Sequence, residues 1–275
     1  MKIMAVCFIV CFIIAALMTP LGISVASSGS GKIVVLTFHE VVKSENEVSN
    51  SVIICKAELE KTILNLLDRG YQFVTPEEFE GFVECKLELS DKKNILLTFD
   101  DGYEGVWEYA FPVLNKYGIK AILFPVMKWY TNFPRQEPHR PHLTASQTLE
   151  LMRAGWILGG HTYDGHWQPD GKTPFLLRQE GESEFIYELR LYWDIFLMKR
   201  EMSRLGCFTG WFAFPYGAYN ATVVAMLKGA GFKYLFTSEP GFVKPGDKFI
   251  PRISAGQTAE ETIRVLEGLE EGLDW

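Results

Sequence analysis

The segment NILLTFDDGYEG, residues 94–105, places an apolar run directly before two adjacent aspartates and a glycine. The apolar run has the length and composition of a strand that is buried on both faces. Successive side chains of a strand point to opposite faces, so Asp100 and Asp101 can share one site only if the strand ends there and the chain turns, as Gly102 permits. The alternative is an ordinary Asx-type turn with two solvated carboxylates.

From residue 32 onward, short apolar runs alternate with segments of helical periodicity. The runs predicted as strands are 32–39, 94–99, 121–126, 155–161, 210–217, 234–238 and 249–254. The segments predicted as helices, each ending in glycine, are 55–70, 107–118, 144–155, 183–206 and 220–231. Repeated strand–helix units predict an α/β fold, a distorted (β/α) barrel of about seven parallel strands.

The composition is that of a globular protein with a full core. Of 275 residues, 48% are hydrophobic and 22% are charged, and the formal net charge is −7. No basic stripe is visible that could neutralise a polyanion, so we do not expect nucleic-acid binding. We expect the protein to be a monomer. Beyond the N-terminal segment, Cys55, Cys85 and Cys207 lack metal-type spacing; they allow at most one internal disulfide, and buried free thiols are the simpler expectation.

The first 30 residues have the features of an export signal. Lys2 provides a basic start, residues 3–18 an apolar run, and SVA at 24–26 a small-x-small cleavage site. Uncut, the apolar run is barely long enough to span a bilayer. We therefore expect residues 1–30 to be a signal peptide or an N-terminal membrane anchor, and residues 31–275 to form one domain that is secreted or associated with the cell surface.

A second polar cluster follows another predicted strand. GGHTYDGH, residues 159–166, places His161 and His166 five residues apart among glycines that allow a loop to bring the rings together. In a barrel the carboxyl ends of the strands converge on one mouth. Two histidines and one carboxylate leave open positions on a divalent metal, which is typical of a catalytic site. We predict Asp101 and the two histidines as metal ligands, and Asp100 as the base beside them.

Over roughly residues 32–255 the chain resembles the polysaccharide deacetylases that share the NodB homology domain, carbohydrate esterase family 4. TFDDG (98–102) is similar to the first motif of that family, and HTYDGH (161–166) to the second. FPYG (214–217) is similar to the third motif, R-P-P-Y-G.

The resemblance implies metal-assisted hydrolysis of an N-acetyl group. It makes Asp100 the catalytic base and Asp101 a metal ligand. The backbone N–H of Tyr216, which follows Pro215, is implied to help form the oxyanion hole.

The chain departs from the family pattern at three points. Ala213 stands where the third motif commonly has the arginine that steers the base, so we expect Arg252 to replace it at the substrate site. The late leucine-x-histidine motif is absent, because no histidine follows His166. TFHEV (37–41) is similar to the Y-H-x-V opening of exported members, which makes His39 the expected general acid; a strand-end histidine of purely structural role is the alternative.

The spacing of the two histidines bears on the substrate, because the commonest form of the family separates them by four residues. Five is similar to the branch that partly deacetylates the biofilm polymer poly-β-1,6-N-acetylglucosamine. We expect this extracellular polysaccharide as substrate and a divalent metal as cofactor, zinc first, with nickel, cobalt or iron compatible with the same ligands. Peptidoglycan, chitin-like oligomers or O-acetyl esters as substrates, and a non-catalytic binding module on the same fold, are the alternatives.

Three further segments are less specific. The aromatic loop 128–142 suits a wall that stacks on sugars, although an ordinary surface loop would look the same. The insertion 167–184 would shape an open groove. Residues 267–275 are expected to be a solvated acidic tail.

Overall fold

The computed structural model describes residues 31–130, 141–168 and 171–272. The predicted signal or anchor (1–30), most of the aromatic loop (131–140, with His139) and the last residues (273–275) lie outside the described residues. Within those described, no helix combines the length and the apolar character needed to cross a bilayer.

Strands and helices alternate along the described chain. The strands are β1 (Ile33–Phe38), β2 (Glu40–Val42), β3 (Ile53–Cys55), β4 (Tyr71–Phe73), β5 (Lys93–Asp101), β6 (Ala121–Pro125), β7 (Ile157–Leu158), β8 (Trp211–Ala213), β9 (Tyr234–Phe236), β10 (Phe249–Ile250) and β11 (Ile253–Ser254). The α-helices are α1 (Lys56–Asp68), α2 (Pro76–Val83), α3 (Phe111–Lys116), α4 (Ala145–Arg153), α5 (Glu184–Arg204), α6 (Ala221–Gly229) and α7 (Ala259–Glu271). A π-helical turn (Val106–Ala110) precedes α3, and 3₁₀ turns cover Glu45–Glu47, Met127–Tyr130 and Pro215–Gly217.

The central strands form a ring of parallel neighbours. One sheet has the order β11-β1-β5-β6-β7 and a second has the order β10-β9-β8. A parallel bridge between Gly160 and Phe212 joins β7 to β8. On the other side only Pro251 and Arg252 separate β10 from β11. If β10 and β11 are counted as one interrupted strand, the ring has seven strand positions. The strands therefore make a distorted barrel of the predicted α/β class, which confirms the fold prediction.

Burial on both faces explains why the barrel strands read as continuous apolar runs. All six residues of β1 are buried. Ile33 and Val35 belong to the core inside the barrel, whereas Val34 and Leu36 belong to the core between the strands and the helices. This alternation is the two-residue period of a strand with an apolar core on each side.

The sequence patterns missed β2, β3, β4, α2 and α7. Capping boxes at Thr75 with Glu78, and at Thr258 with Glu261, open the two missed helices and could have identified them. The expected acidic tail is wrong for residues 267–271, which form the end of α7. There the amphipathic pattern buries one face of the helix in the core while the glutamates remain outside.

Candidate active site

A cavity of about 440 Å³ opens at the carboxyl ends of the barrel strands. Most of the predicted site residues line it: His39, Asp100, Asp101, His161, His166, Tyr216 and Arg252. Pro215 does not; it is buried at the start of its 3₁₀ turn, so its position supports the backbone of Tyr216 rather than a direct substrate contact. The geometry brings these residues together, while the roles assigned to them stay predictions.

The backbone at the end of β5 explains how two adjacent aspartates face one cavity. Asp101 has φ 67° and Gly102 has φ 83°, and the N–H of Gly102 donates to the carbonyl of Asp100 at 2.8 Å. A left-handed conformation at a non-glycine residue costs on the order of 1–3 kcal/mol and is typical of functional sites. Tyr216, which lines the cavity, and Thr162, the buried neighbour of His161, also have positive φ.

Asp101, His161 and His166 form a group that fits a divalent cation. Their ligand atoms all lie within 4.8 Å of one another. The Nε2 atoms of His166 and His161 lie 3.1 Å and 3.5 Å from Oδ1 of Asp101. Within the described part of the chain, that buried oxygen accepts no hydrogen bond. A buried carboxylate oxygen that lacks a donor but is faced by two imidazole nitrogens is the arrangement expected around a metal ion.

The orientation of the histidine rings agrees with this interpretation. Nδ1 of His161 lies 2.8 Å from the carbonyl oxygen of Ala213, so Nδ1–H donates there and the lone pair of Nε2 points toward Asp101. Burial lowers the pKa of His166, which favours its neutral, metal-binding form. The side chain at position 213 is therefore not needed for this contact, since the backbone supplies the acceptor.

Asp100 has a different partner. Nη1 and Nη2 of Arg252 donate to its two oxygens at 2.7 Å and 2.8 Å, and Nε of Arg252 donates to the carbonyl of Thr237 at 2.9 Å. Burial by itself would raise the pKa of Asp100, but the adjacent guanidinium of Arg252, together with His161 and His39, holds this pKa below its usual value. One aspartate is therefore kept ionised by an arginine, while its neighbour faces the histidine pair.

Tyr216 is the predicted oxyanion-hole residue, and His39 is the predicted general acid. The ring of Tyr216, which is half exposed, stacks on His166 with a centroid distance of 4.7 Å. His39 lies between β1 and β2, half-buried at the cavity wall.

Further ring side chains, outside the three motifs, lie beside His166. The edge of Trp129 meets His166 at a centroid distance of 5.9 Å. His142 lies 4.3 Å from Trp129 and 4.8 Å from Tyr103, which itself lines the cavity. Tyr103 comes directly after the DDG turn, a position that could have indicated it. Trp129 and His142 are the described ends of the predicted aromatic loop.

Comparison with known proteins places these features in context. The sequence model of the polysaccharide deacetylase family matches residues 88–235, more than half of the chain. YxkH of Bacillus subtilis, described as a candidate polysaccharide deacetylase, is 31% identical over 210 residues, which are 76% of this chain and 66% of the relative. The poly-β-1,6-N-acetyl-D-glucosamine N-deacetylase of Staphylococcus epidermidis is 29% identical over 243 residues, 85% of this chain and 78% of the relative.

A solved structure is also similar. The structure of IcaB from Ammonifex degensii superposes with a TM-score of 0.72 at 29% identity, and the match covers 84% of this chain and 97% of that chain.

Proposed function

The chain belongs to the polysaccharide deacetylase family, and from this premise we propose that it hydrolyses N-acetyl groups of an extracellular N-acetylglucosamine polymer and releases acetate. The observation that carries the proposal is that the two adjacent aspartates have different partners. Asp100 is paired with Arg252, and Asp101 faces His161 and His166. The different partners support assigning Asp100 as the base and Asp101 as a metal ligand.

Asp100 would act as the base that takes a proton from the attacking water. Its pKa is held low by Arg252, so it is ionised at neutral pH and able to accept a proton. The two hydrogen bonds from the guanidinium also fix the plane of the carboxylate. A divalent cation held by Asp101 and the two histidines would polarise the acetyl carbonyl and the water.

The negative charge that develops on the acetyl oxygen needs a hydrogen-bond donor. We assign this role to the backbone N–H of Tyr216, whose left-handed conformation (φ 57°) turns the chain at the cavity wall. Pro215 fixes the start of that turn. The tyrosine ring would at the same time cover His166.

The departing sugar nitrogen needs a proton, and His39 is the residue proposed to supply it. It lines the same cavity as Asp100 and Asp101, and imidazole can exchange a proton near neutral pH. Protonation of this nitrogen as the C–N bond breaks would leave the free amine on the sugar.

The substrate proposed is poly-β-1,6-N-acetylglucosamine. Its support is the name of the Staphylococcus epidermidis relative, together with the five-residue spacing of His161 and His166. We further propose that residues 1–30 export or anchor the chain, that residues 31–275 form the catalytic domain, and that the enzyme acts as a monomer on polymer outside the cytoplasm. Zinc is the proposed metal, with nickel, cobalt and iron as the ions to compare.

The test measures bound metal and acetate release in parallel on the purified protein. Asp101→Ala and His161→Ala should lose metal and activity together, whereas Asp100→Asn should keep its metal and lose turnover. Asp68→Asn, at an exposed position on α1, is the matched control and should behave like the parent. An Asp100→Asn enzyme as fast as the parent would show that the base is assigned to the wrong residue.

A further inference from the structure

Helix α5 carries a buried carboxylate that lies outside the cavity. Asp194 is 7% exposed, and both of its oxygens accept hydrogen bonds from the backbone. The N–H of Tyr163 donates to Oδ2 at 2.8 Å and the N–H of Asp164 donates to Oδ1 at 2.9 Å. These two residues lie between His161 and His166, the predicted metal ligands.

The same loop is held on its other side by the 3₁₀ turn that follows β6. The N–H groups of Met127 and Lys128 donate to the carbonyls of Thr162 and Tyr163, at 3.1 Å and 2.8 Å. The loop between the two histidines belongs to no strand or helix. Its carbonyls are therefore fastened by the turn, and its amides by Asp194.

Two histidines five residues apart converge only when the loop between them has one shape. Fixing each backbone residue of a free loop costs about 1–2 kcal/mol, which would otherwise be subtracted from the free energy of metal binding. A carboxylate that accepts backbone N–H groups forms hydrogen bonds roughly twice as strong as a neutral acceptor does. Two successive loop amides donate to the same carboxylate, as successive backbone N–H groups commonly do to an anion.

Keeping Asp194 ionised in the protein interior costs free energy, and a neutral side chain could make a purely structural contact without that cost. Burial raises the pKa of Asp194 to about 6, although the backbone N–H groups of Asp164, Tyr163 and Gly165 act in the opposite direction. Among the residues that the structure describes, its hydrogen-bond donors are the backbone amides of Tyr163 and Asp164, and none is a cation. The unfavourable burial of this carboxylate is explained if metal binding requires the loop to keep one conformation.

We propose that Asp194 is a positioning residue for the metal centre, fastening the loop amides so that the rings of His161 and His166 converge on Asp101. This inference rests on the metal-dependent function proposed above. It places the residue outside direct contact with substrate or metal.

The same helix supplies a matched control. Glu201 is 6% exposed, and its oxygens accept from Arg200 at 2.8 Å and from Arg204 at 3.4 Å instead of from the metal loop. Glu201→Gln therefore removes a buried carboxylate from α5 without changing a contact of the loop.

The test uses the metal-free full chain and Co²⁺ as the probe. Affinity is measured by competition with a chelating dye, the ligand geometry by the visible absorption of bound Co²⁺, and the thermal midpoint by circular dichroism. Asp194→Asn should weaken Co²⁺ binding at least about tenfold, the loss typical when a partner behind the metal ligands is removed. Glu201→Gln should stay within about twofold of the parent in affinity.

Asp194→Glu keeps the charge but displaces it by one methylene, so it should bind Co²⁺ with an affinity between those of the parent and Asp194→Asn. This variant decides the question if Asp194→Asn does not fold. Parental Co²⁺ affinity in the Asp194 variants, or an equal loss in Glu201→Gln, would overturn the positioning role. The acetate assay separates this result from the proposed function: a parent that binds Co²⁺ in an Asp194-dependent way but releases no acetate refutes the function and keeps the positioning role.

Discussion

Arg252 binds both carboxylate oxygens of Asp100, through Nη1 at 2.7 Å and Nη2 at 2.8 Å, although the two residues lie 152 positions apart in the chain. Each is only 3% exposed. A buried two-point ion pair of this kind fixes the carboxylate in direction as well as in charge. Arg252 lies between β10 and β11. It places a guanidinium beside Asp100 in a chain whose third motif has Ala213 at the usual arginine position.

Removing the guanidinium should affect both stability and rate. Arg252→Ala leaves a buried carboxylate without its counter-charge, which we expect to lower the free energy of unfolding by about 3–5 kcal/mol. Acetate release should fall by roughly 10²-fold or more, since the proposed base loses its orientation and its low pKa. Arg252→Lys keeps a charge but not the two-point geometry, and should lie between the two. Urea unfolding and initial rates measure these effects.

Arg190 provides the matched control for that prediction. It pairs with Glu182 through Nε and Nη2, both at 2.8 Å, and neither residue lines the cavity. Arg190→Ala should lose stability but keep the parental rate per folded molecule. If it slowed acetate release as much as Arg252→Ala does, the contact with Asp100 would have no special role.

His39 is expected to matter for proton donation rather than for packing. His39→Ala should keep its metal and its fold but lose about 10²-fold in kcat/KM, with the alkaline limb of the pH profile changed. His39→Gln restores a polar side chain without a proton to give at neutral pH, and should be as slow. A glutamine variant with the parental rate and pH profile would mean that another group donates the proton.

The linkage preference follows from the proposed branch of the family. Acetate release should be faster from β-1,6-linked than from β-1,4-linked N-acetylglucosamine oligomers of equal length. The rate should rise with chain length, because an open groove gains contacts with each added sugar. Initial rates on matched oligomer series measure this preference. Activity confined to β-1,4-linked oligomers would move the enzyme to another branch and leave the chemistry intact.

Asp194 should make stability depend on pH in a defined direction. Its pKa is raised to about 6 in the folded state, from an ordinary value of 3.8. Its contribution to the free energy of unfolding is therefore full below about pH 4 and is lost as the pH rises through 6. Burial is the main cause of this rise and the charge of Asp164 adds to it, whereas the loop amides act in the opposite direction.

Comparison with Asp194→Asn isolates this group, since the amide does not titrate. The free energy of unfolding of the metal-free parent, relative to that variant, should fall by on the order of 2–3 kcal/mol between pH 4 and pH 7 and then stay level. Urea unfolding at a series of pH values measures this difference. A difference that is flat across this range, or that rises, would contradict the assigned shift.

The cysteines of the domain should react at very different rates. Cys85 is exposed, whereas Cys55 and Cys207 are buried, and all three are free thiols. Burial raises the pKa of Cys207 to about 12, which keeps it protonated and unreactive. Alkylation of the native protein followed by peptide mass spectrometry should find Cys85 modified first. Early modification of Cys207 would show that this part of the core opens readily.

The sequence by itself determined the class of fold and the core of the site. Strands buried on both faces leave continuous apolar runs, and the helices between them leave a 3.6-residue period, so the α/β barrel was readable. Asp100 with Asp101, and His161 with His166, were readable because each pair is carried by one short segment. Barrel topology then requires the strand ends that bear them to meet.

The sequence named Arg252 as a candidate through the third motif, but only the tertiary structure showed which distant residues it and the metal loop contact. The pairing of Arg252 with Asp100 depends on β11 closing the barrel against β1, and the contact of Asp194 with the metal loop depends on how α5 packs. Both contacts join segments far apart in the chain, so no local period or motif encodes them. The left-handed turns at Asp101 and Tyr216 belong to the same class, because these non-glycine residues adopt positive φ only where the surrounding structure holds them there.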